Sequence, residues 1–73
     1  MELQRENEAV AVPAEVLRGI RKAQADNHIN KYSVHQVVVS AMRLGERDAL
    51  EWLMRNHVRY LDGVFNGFFA EEE

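Results

Sequence analysis

Three histidines are the residues of this chain best suited to bind a metal ion. His28, His35 and His57 are not spaced three or four residues apart, the spacing with which two imidazoles bind one ion from a single helix. The sequence has no cysteine, so it offers neither a thiolate ligand nor a disulfide. We therefore expect no metal ion and no cofactor. We expect His57 to be a core or interface residue, because it falls on the apolar side of a predicted helix.

A nucleophile or a pair of carboxylates would be needed for catalysis. Ser33 and His35 are close in sequence, but Ser33 is better explained as the cap of a helix. Glu46, Asp48 and Glu51 resemble a carboxylate cluster, yet a solvated helix N-terminus explains them more simply. The chain has no G-x-S-x-G motif and no glycine-rich phosphate loop. We expect no enzymatic activity.

The segment 34–44 predicts the helix around which the chain is organised. Ser33 suits the N-cap position, and Gln36 completes an S-x-x-Q capping box. Gly45 stands where a left-handed C-cap would end the helix. Apolar residues recur with helical spacing at Val34, Val37, Val38, Ala41 and Met42.

Two more helices flank this one. Pro13 suits the first turn of a helix over 14–25, whose apolar residues are Val16, Leu17, Ile20 and Ala23. Gly19 interrupts that pattern, so either the helix tolerates it or another helix packs closely there. The third helix is predicted over 47–61, with an apolar stripe of Leu50, Leu53, Met54, His57, Val58 and Leu61.

The two ends of the chain are less regular. The run 9–12 could lie extended along the body or add as a strand to a partner. After Leu61, either Gly63 stops the helix and the phenylalanines fold back on the core, or the helix continues and Gly63 and Gly67 let another helix approach. We predict a flexible acidic arm over 1–12, a single helical domain over 13–69 and an acidic tail over 70–73.

Size and charge restrict the class of protein. Seventy-three residues make one domain with a thin margin of stability, so association with another chain is the favoured source of extra stability. The net charge is −3, but the body between Pro13 and Gly67 has eight Lys/Arg and six Asp/Glu, and this small basic excess does not by itself indicate nucleic acid. No segment is apolar enough to span a bilayer and the short run 9–12 does not make a signal peptide, so we expect a soluble, cytoplasmic protein.

DNA binding is the alternative function. The predicted second and third helices are joined tightly at Gly45, as in some helix-turn-helix units. The recognition helix would then begin with Glu46, Arg47, Asp48 and Glu51, of which three would repel phosphate. A basic edge remains available at Arg18, Arg21, Lys22 and Lys31. A small DNA-binding transcriptional regulator is therefore the second choice, and nucleic acid is not the expected partner.

Aromatic residues are concentrated in the last third of the chain. Three short helices cannot easily bury all of these rings together with the aliphatic stripes, and a surplus of aromatic surface indicates an interface. A homodimer is the simplest such interface. The residues predicted for self-association are Trp52, Tyr60, Phe65, Phe68 and Phe69.

The turn before the second helix has the sequence Asn30-Lys31-Tyr32-Ser33 and is followed by Val37, Ala41 and Gly45. This pattern is similar, at matching offsets, to the T-N-M-F-D pattern of a small family of phage and prophage proteins without an assigned activity. Ile29, Lys31 and Ser33 stand where the family has Thr, Met and Asp, and Ser33 keeps a capping residue. The resemblance covers about 16–65 and implies a phage-type accessory protein.

These observations predict an all-α, three-helix bundle with an apolar C-terminal extension, assembled as a homodimer. Its expected function is that of a non-enzymatic phage- or prophage-type accessory protein, which binds a host or phage protein and thereby inhibits a host factor. Lys31 and Tyr32 are the residues expected to contact that partner.

Overall fold

Four helices and two short strands make up the chain in a computed structural model that describes residues 8–26 and 28–71. The elements are β1 (Val10–Pro13), α1 (Ala14–Gln24), α2 (Val34–Leu44), α3 (Arg47–Arg55), α4 (His57–Asn66) and β2 (Phe68–Glu71). The fold is predominantly helical, as predicted. It is not a simple three-helix bundle, because the third predicted helix is broken and both ends of the chain form strands.

Helix α2 begins and ends where its sequence predicts. The Ser33 hydroxyl accepts a long hydrogen bond from the Gln36 backbone N–H, at 3.4 Å. Gly45 has a positive φ of 74° and ends the helix in the left-handed conformation. Only half of the predicted capping box forms, because the Gln36 side chain accepts from the backbone N–H of Asn30, at 2.7 Å, and not from that of Ser33.

Helix α1 ends at Gln24, one residue before the predicted limit, and Ala25 is its C-cap. Gly19 is buried where α1 packs on α3. A Cβ atom at residue 19 would lie 2.7 Å from the Cβ of Ala49. Of the two explanations offered for this glycine, close packing of another helix is therefore the correct one.

The helix predicted over 47–61 is wrong in one respect, because it breaks at Asn56. The backbone of Asn56 leaves helical geometry with φ −135° and ψ 52°. Its side-chain Nδ2 donates to the Trp52 carbonyl at 2.9 Å, a local bond that competes with continued helix. Its own carbonyl accepts from the Tyr60 backbone N–H and so begins α4. The break changes which residues face inward.

Both ends of the chain meet in a parallel two-stranded sheet. Val10 pairs with Phe68 and Ala11 with Phe69. The run 9–12 was predicted either to lie extended along the body or to add as a strand to a partner, and β1 pairs with a strand of the same chain. Thus 10–12, assigned to the flexible arm, and 70–71, assigned to the acidic tail, belong to the sheet. Residues 1–7 and 72–73 of that arm and tail lie outside the described residues.

The core lies where β1, α1, α2, α3 and α4 converge. Ser40 is its buried polar residue, and its hydroxyl donates to the Ala23 carbonyl at 3.0 Å. That bond joins α1 to α2 while satisfying a group that would be costly to bury alone. The buried hydrophobic residues are Val10, Val12, Val16, Leu17, Ile20, Ala23, Val37, Ala41, Ala49, Leu53 and Tyr60.

Candidate binding surface

Tyr60 fixes the turn that precedes α2. Its side chain is fully buried, and its hydroxyl donates to the Lys31 carbonyl at 2.7 Å. The same hydroxyl accepts from Nε2 of Gln24 at 2.9 Å. Burial raises the pKa of this phenol above its ordinary value of 10.0, and the Gln24 hydrogen bond opposes that shift. The hydroxyl therefore stays protonated at neutral pH and holds the turn as a donor.

The turn itself presents Lys31 and Tyr32 to solvent. The Asn30 side-chain oxygen accepts from the Tyr32 backbone N–H at 2.9 Å, which closes an Asx turn. The Lys31 ammonium lies 5.7 Å from the centroid of the Tyr32 ring. The Tyr32 ring in turn lies 5.6 Å from the Phe65 ring, centroid to centroid, with the planes tilted by 34°. Both predicted partner-contact residues are thus exposed at one place, beside Phe65.

A cleft of about 250 Å³ opens next to Lys31. The end of α1, the turn before α2, the second half of α4 and the start of β2 each contribute to its walls. We call it the basic cleft, because two of its residues carry positive charge and none carries negative charge. The described residues that line it are Arg21, Gln24, Lys31, Gly63, Val64, Gly67 and Phe68.

An apolar face lies on α2, α3 and α4. A groove of about 330 Å³ runs between α2 and the α3–α4 break, lined by Val34, His35, Val38, Met54 and His57. Met54 is 61% exposed, and Val58 and Phe65 are each 72% exposed. Val58, Leu61 and Phe65 follow at i, i+3 and i+7 along α4 and therefore share one side of it. We call these exposed residues and the groove the apolar face.

The five aromatic residues predicted for self-association do not lie on one surface. Tyr60 belongs to the core, with 0% exposure. Trp52 and Phe68 are half-buried and make an edge-to-face contact, with ring centroids 6.5 Å apart. Phe65 is on the apolar face, whereas Phe69 is 49% exposed on the outer side of the sheet. Only Phe65 and Phe69 therefore present exposed rings.

The basic edge predicted for DNA binding is partly neutralised. Lys22 forms an ion pair with Glu46, at 3.4 Å, across α1 and the start of α3. The first turn of α3 also carries Asp48. A helix that begins with these carboxylates is a poor reader of DNA, since it would approach the phosphates with negative charge.

The candidates for chemistry are dispersed. His28, His35 and His57 are all exposed. Of the two places predicted for His57, the core is therefore wrong, and an interface stays a prediction. Ser33 accepts from the backbone and serves as the N-cap of α2. Within 8–26 and 28–71, no three His, Asp or Glu side chains converge on a point where a metal ion could bind.

Sequence reasoning missed the exposure of Met54 and Val58, and it missed the cleft. Both residues have the spacing of a buried stripe, yet Met54 is exposed within α3 and Val58 is exposed at the start of α4. Arg21 was placed on a basic edge, but Gln24 was not singled out. No local signal joins Gln24 to Lys31, because Tyr60 brings them together from 36 and 29 positions away.

Within residues 8–26 and 28–71, no helix has both the length and the apolar character needed to cross a bilayer. Comparison of the sequence and structure with protein-family models, with curated proteins and with solved structures gives no significant match.

Proposed function

We propose that this chain is a non-enzymatic, phage- or prophage-type accessory protein of the host cytoplasm that binds another protein and inhibits a host factor. The apolar face is the observation that supports binding of another protein. The proposed phage origin of the chain is supported by the resemblance at Asn30–Ser33. Lys31 and Tyr32, the turn residues proposed to contact the partner, lie beside the apolar face at Phe65.

Exposed apolar residues are informative only when they are grouped. Isolated ones are common on soluble proteins and need no explanation. Here Met54 lines a groove with apolar walls, and Val58 and Phe65 share one side of α4, which begins at the groove residue His57. Each of the three is more than half exposed. Grouped apolar surface of this kind marks a protein-binding site more often than a catalytic one.

A homodimer is the second part of the proposal. The exposed rings of Phe65 and Phe69 would supply its aromatic contacts. The chain is short and has no disulfide, so burial of these rings against a second copy would add stability that a small core supplies poorly.

Affinity capture tests the binding proposal. The tagged full chain is incubated with a bacterial lysate and compared with Val58→Ser/Phe65→Ser, which removes two exposed side chains from the apolar face. The matched control is Met42→Ser/Leu44→Ser, which removes two side chains of similar exposure from the end of α2. We expect a protein that is captured by the wild type and by the control but not by the Val58/Phe65 variant.

Identical capture by all three proteins, or capture of nothing, would contradict the proposal. The inhibitory part has its own readout, because the captured protein should lose activity when purified chain is added and keep it when the Val58/Phe65 variant is added. Salt-sensitive binding to duplex DNA, abolished by charge reversal at Arg18, Arg21 and Lys22, would instead support a DNA-binding regulator.

A further inference from the structure

We propose that the basic cleft is a binding site for a carboxylate side chain in an acidic segment of a partner protein. The inference rests on the proposed function only in taking the partner to be a protein. It concerns the cleft that adjoins the apolar face at Lys31, and a different chemistry, which is charge recognition.

Two positive charges at the cleft have no carboxylate partner among the described residues. Arg21 and Lys31 are both exposed, and neither forms an ion pair with any residue of 8–26 or 28–71. By contrast, Lys22 and Arg43 are each paired, with Glu46 and Asp26. The guanidinium of Arg21 and the ammonium of Lys31 thus both lie at the basic cleft. Neither group donates to another side chain of the described residues.

A third donor is held in position by the core. Nε2 of Gln24 gives one of its hydrogens to the Tyr60 hydroxyl, at 2.9 Å, and its second hydrogen is not used by that bond. Lys31 is fixed by the same hydroxyl through its carbonyl, at 2.7 Å. One buried group therefore holds the Gln24 amide and the backbone of Lys31, and less ordering entropy is lost on binding.

The remaining residues of the cleft carry no charge. Gly63, Val64, Gly67 and Phe68 line it, and the ring of Phe68 lies against Gly63. An exposed ion pair contributes little in open water, whereas a carboxylate that enters a cleft is less screened by solvent. A volume of about 250 Å³ suits one side chain and part of a backbone better than a folded surface.

The small number of charges favours a peptide over a nucleic acid. Two cations are few for a nucleic acid, whose affinity grows with each phosphate that is neutralised. Tyr32 and Phe65 pack on each other at 5.6 Å and are each more than half exposed, so they offer apolar contact beside the cleft. An acidic segment that also carries an aromatic anchor matches both parts of this surface.

The test uses the full chain and a defined peptide of sequence GEFEEFEG, blocked at both ends, followed by chemical shifts of the ¹⁵N-labelled protein. The amides of Gln24, Lys31, Gly63 and Gly67 should shift together. The same peptide with every Glu replaced by Gln should bind at least about ten-fold more weakly, because charge-assisted bonds to carboxylate are stronger than neutral ones.

Matched variants separate the cleft from overall charge. Arg21→Gln and Lys31→Gln should each weaken binding of the acidic peptide about five-fold, the effect of losing one partly exposed charge-assisted contact. Arg18→Gln removes the same charge from the same helix outside the cleft, and should change affinity less than about two-fold. Tyr60→Phe, which frees Gln24 and Lys31, should weaken binding without removing any charge.

Several outcomes would overturn the inference. These are equal binding of the Glu and Gln peptides, an equal loss with Arg18→Gln and Arg21→Gln, and no shift of the cleft amides at millimolar peptide. Tighter binding of a twelve-residue oligothymidylate or of inorganic phosphate would also overturn it. The proposed apolar contact fails separately, since its test depends on Val58 and Phe65 and not on Arg21.

Discussion

The ring of Phe68 occupies the space that a side chain at residue 63 would need. A Cβ atom built on Gly63 would overlap three atoms of that ring. Phe68 also packs on Tyr60, with ring centroids 5.8 Å apart, and meets the edge of Trp52. The glycine therefore admits the first residue of β2 to the core, and the end of the chain is held by this contact as well as by pairing with β1.

Gly63→Ala should destabilise the fold by about 1–3 kcal/mol, the usual cost of overpacking. A loss of stability would point to the overlap with Phe68, because replacing glycine by alanine within a helix otherwise raises the free energy of unfolding by about 1 kcal/mol. Urea unfolding followed by circular dichroism measures the difference. In the Phe68→Ala background, where the ring is absent, the same substitution should become neutral or stabilising.

Gly45→Ala is the control for backbone strain. Nothing lies within 4 Å of a Cβ at residue 45, but its φ is +74°. Gly45→Ala should lower the free energy of unfolding by about 1 kcal/mol, whether or not the Phe68 ring is present. If Gly63→Ala also lowers the free energy of unfolding in the Phe68→Ala background, the overlap of a residue-63 Cβ with the Phe68 ring does not determine the stability of this region.

Tyr60→Phe should lower the free energy of unfolding by about 2 kcal/mol. The substitution keeps the ring but removes a donor to the Lys31 carbonyl and an acceptor from Gln24, which leaves partly buried polar groups without partners. Tyr32→Phe, which changes an exposed phenol, is the matched control and should cost less than about 0.5 kcal/mol. Equal effects in urea unfolding would show that the hydroxyl of Tyr60 does not hold the turn.

Alkaline pH should act through the same hydroxyl. Burial raises the pKa of Tyr60 above 10.0 in the folded chain, while the unfolded chain has an ordinary phenol. The resulting stability is fully present below the unfolded pKa and is lost as pH rises through the folded pKa. Between pH 9 and 11.5, unfolding free energy should therefore fall more steeply for Tyr32→Phe than for Tyr60→Phe.

Acid pH should act through Asp26. The backbone N–H of His28 donates to its carboxylate at 2.9 Å and lowers the pKa below 3.8, and Arg43 lowers it further. The stability this carboxylate contributes is present above the unfolded pKa and is lost as pH falls through the folded pKa. The stability difference between wild type and Asp26→Asn should be constant above about pH 5 and shrink below pH 4. Asp62→Asn, an exposed carboxylate on α4, is the control, and an equal pH dependence would contradict the assignment.

Local signals account for what the sequence predicts well. Ser33 and Gly45 mark α2 by capping chemistry that depends only on neighbouring residues. The break at Asn56 is invisible to periodicity, because the residues on either side keep the spacing of one continuous helix. Only the side-chain bond from Asn56 to the Trp52 carbonyl reveals why the helix stops.

Contacts between distant parts of the chain account for what the sequence does not predict. Val10 and Phe68 pair although 57 residues separate them, and neither short run has a strand pattern long enough to be recognised. The basic cleft is assembled in the same way, from Arg21, Lys31 and the Gly63–Phe68 segment. Residue types at these positions became informative only once the fold had placed them together.

Self-association gives the last prediction, and the positions of the rings decide its design. Phe65 and Phe69 are exposed, so Phe65→Ser/Phe69→Ser should convert a dimer to a monomer in light scattering without loss of helix content. Phe68→Ser is the contrasting variant. Its ring packs on Trp52 and Tyr60, so it should destabilise each chain by about 3 kcal/mol or more. A monomeric wild type at high micromolar concentration, or a dimer that persists in the double variant, would contradict the proposed homodimer. If the wild type is monomeric, the exposed Phe65 remains available to a different protein.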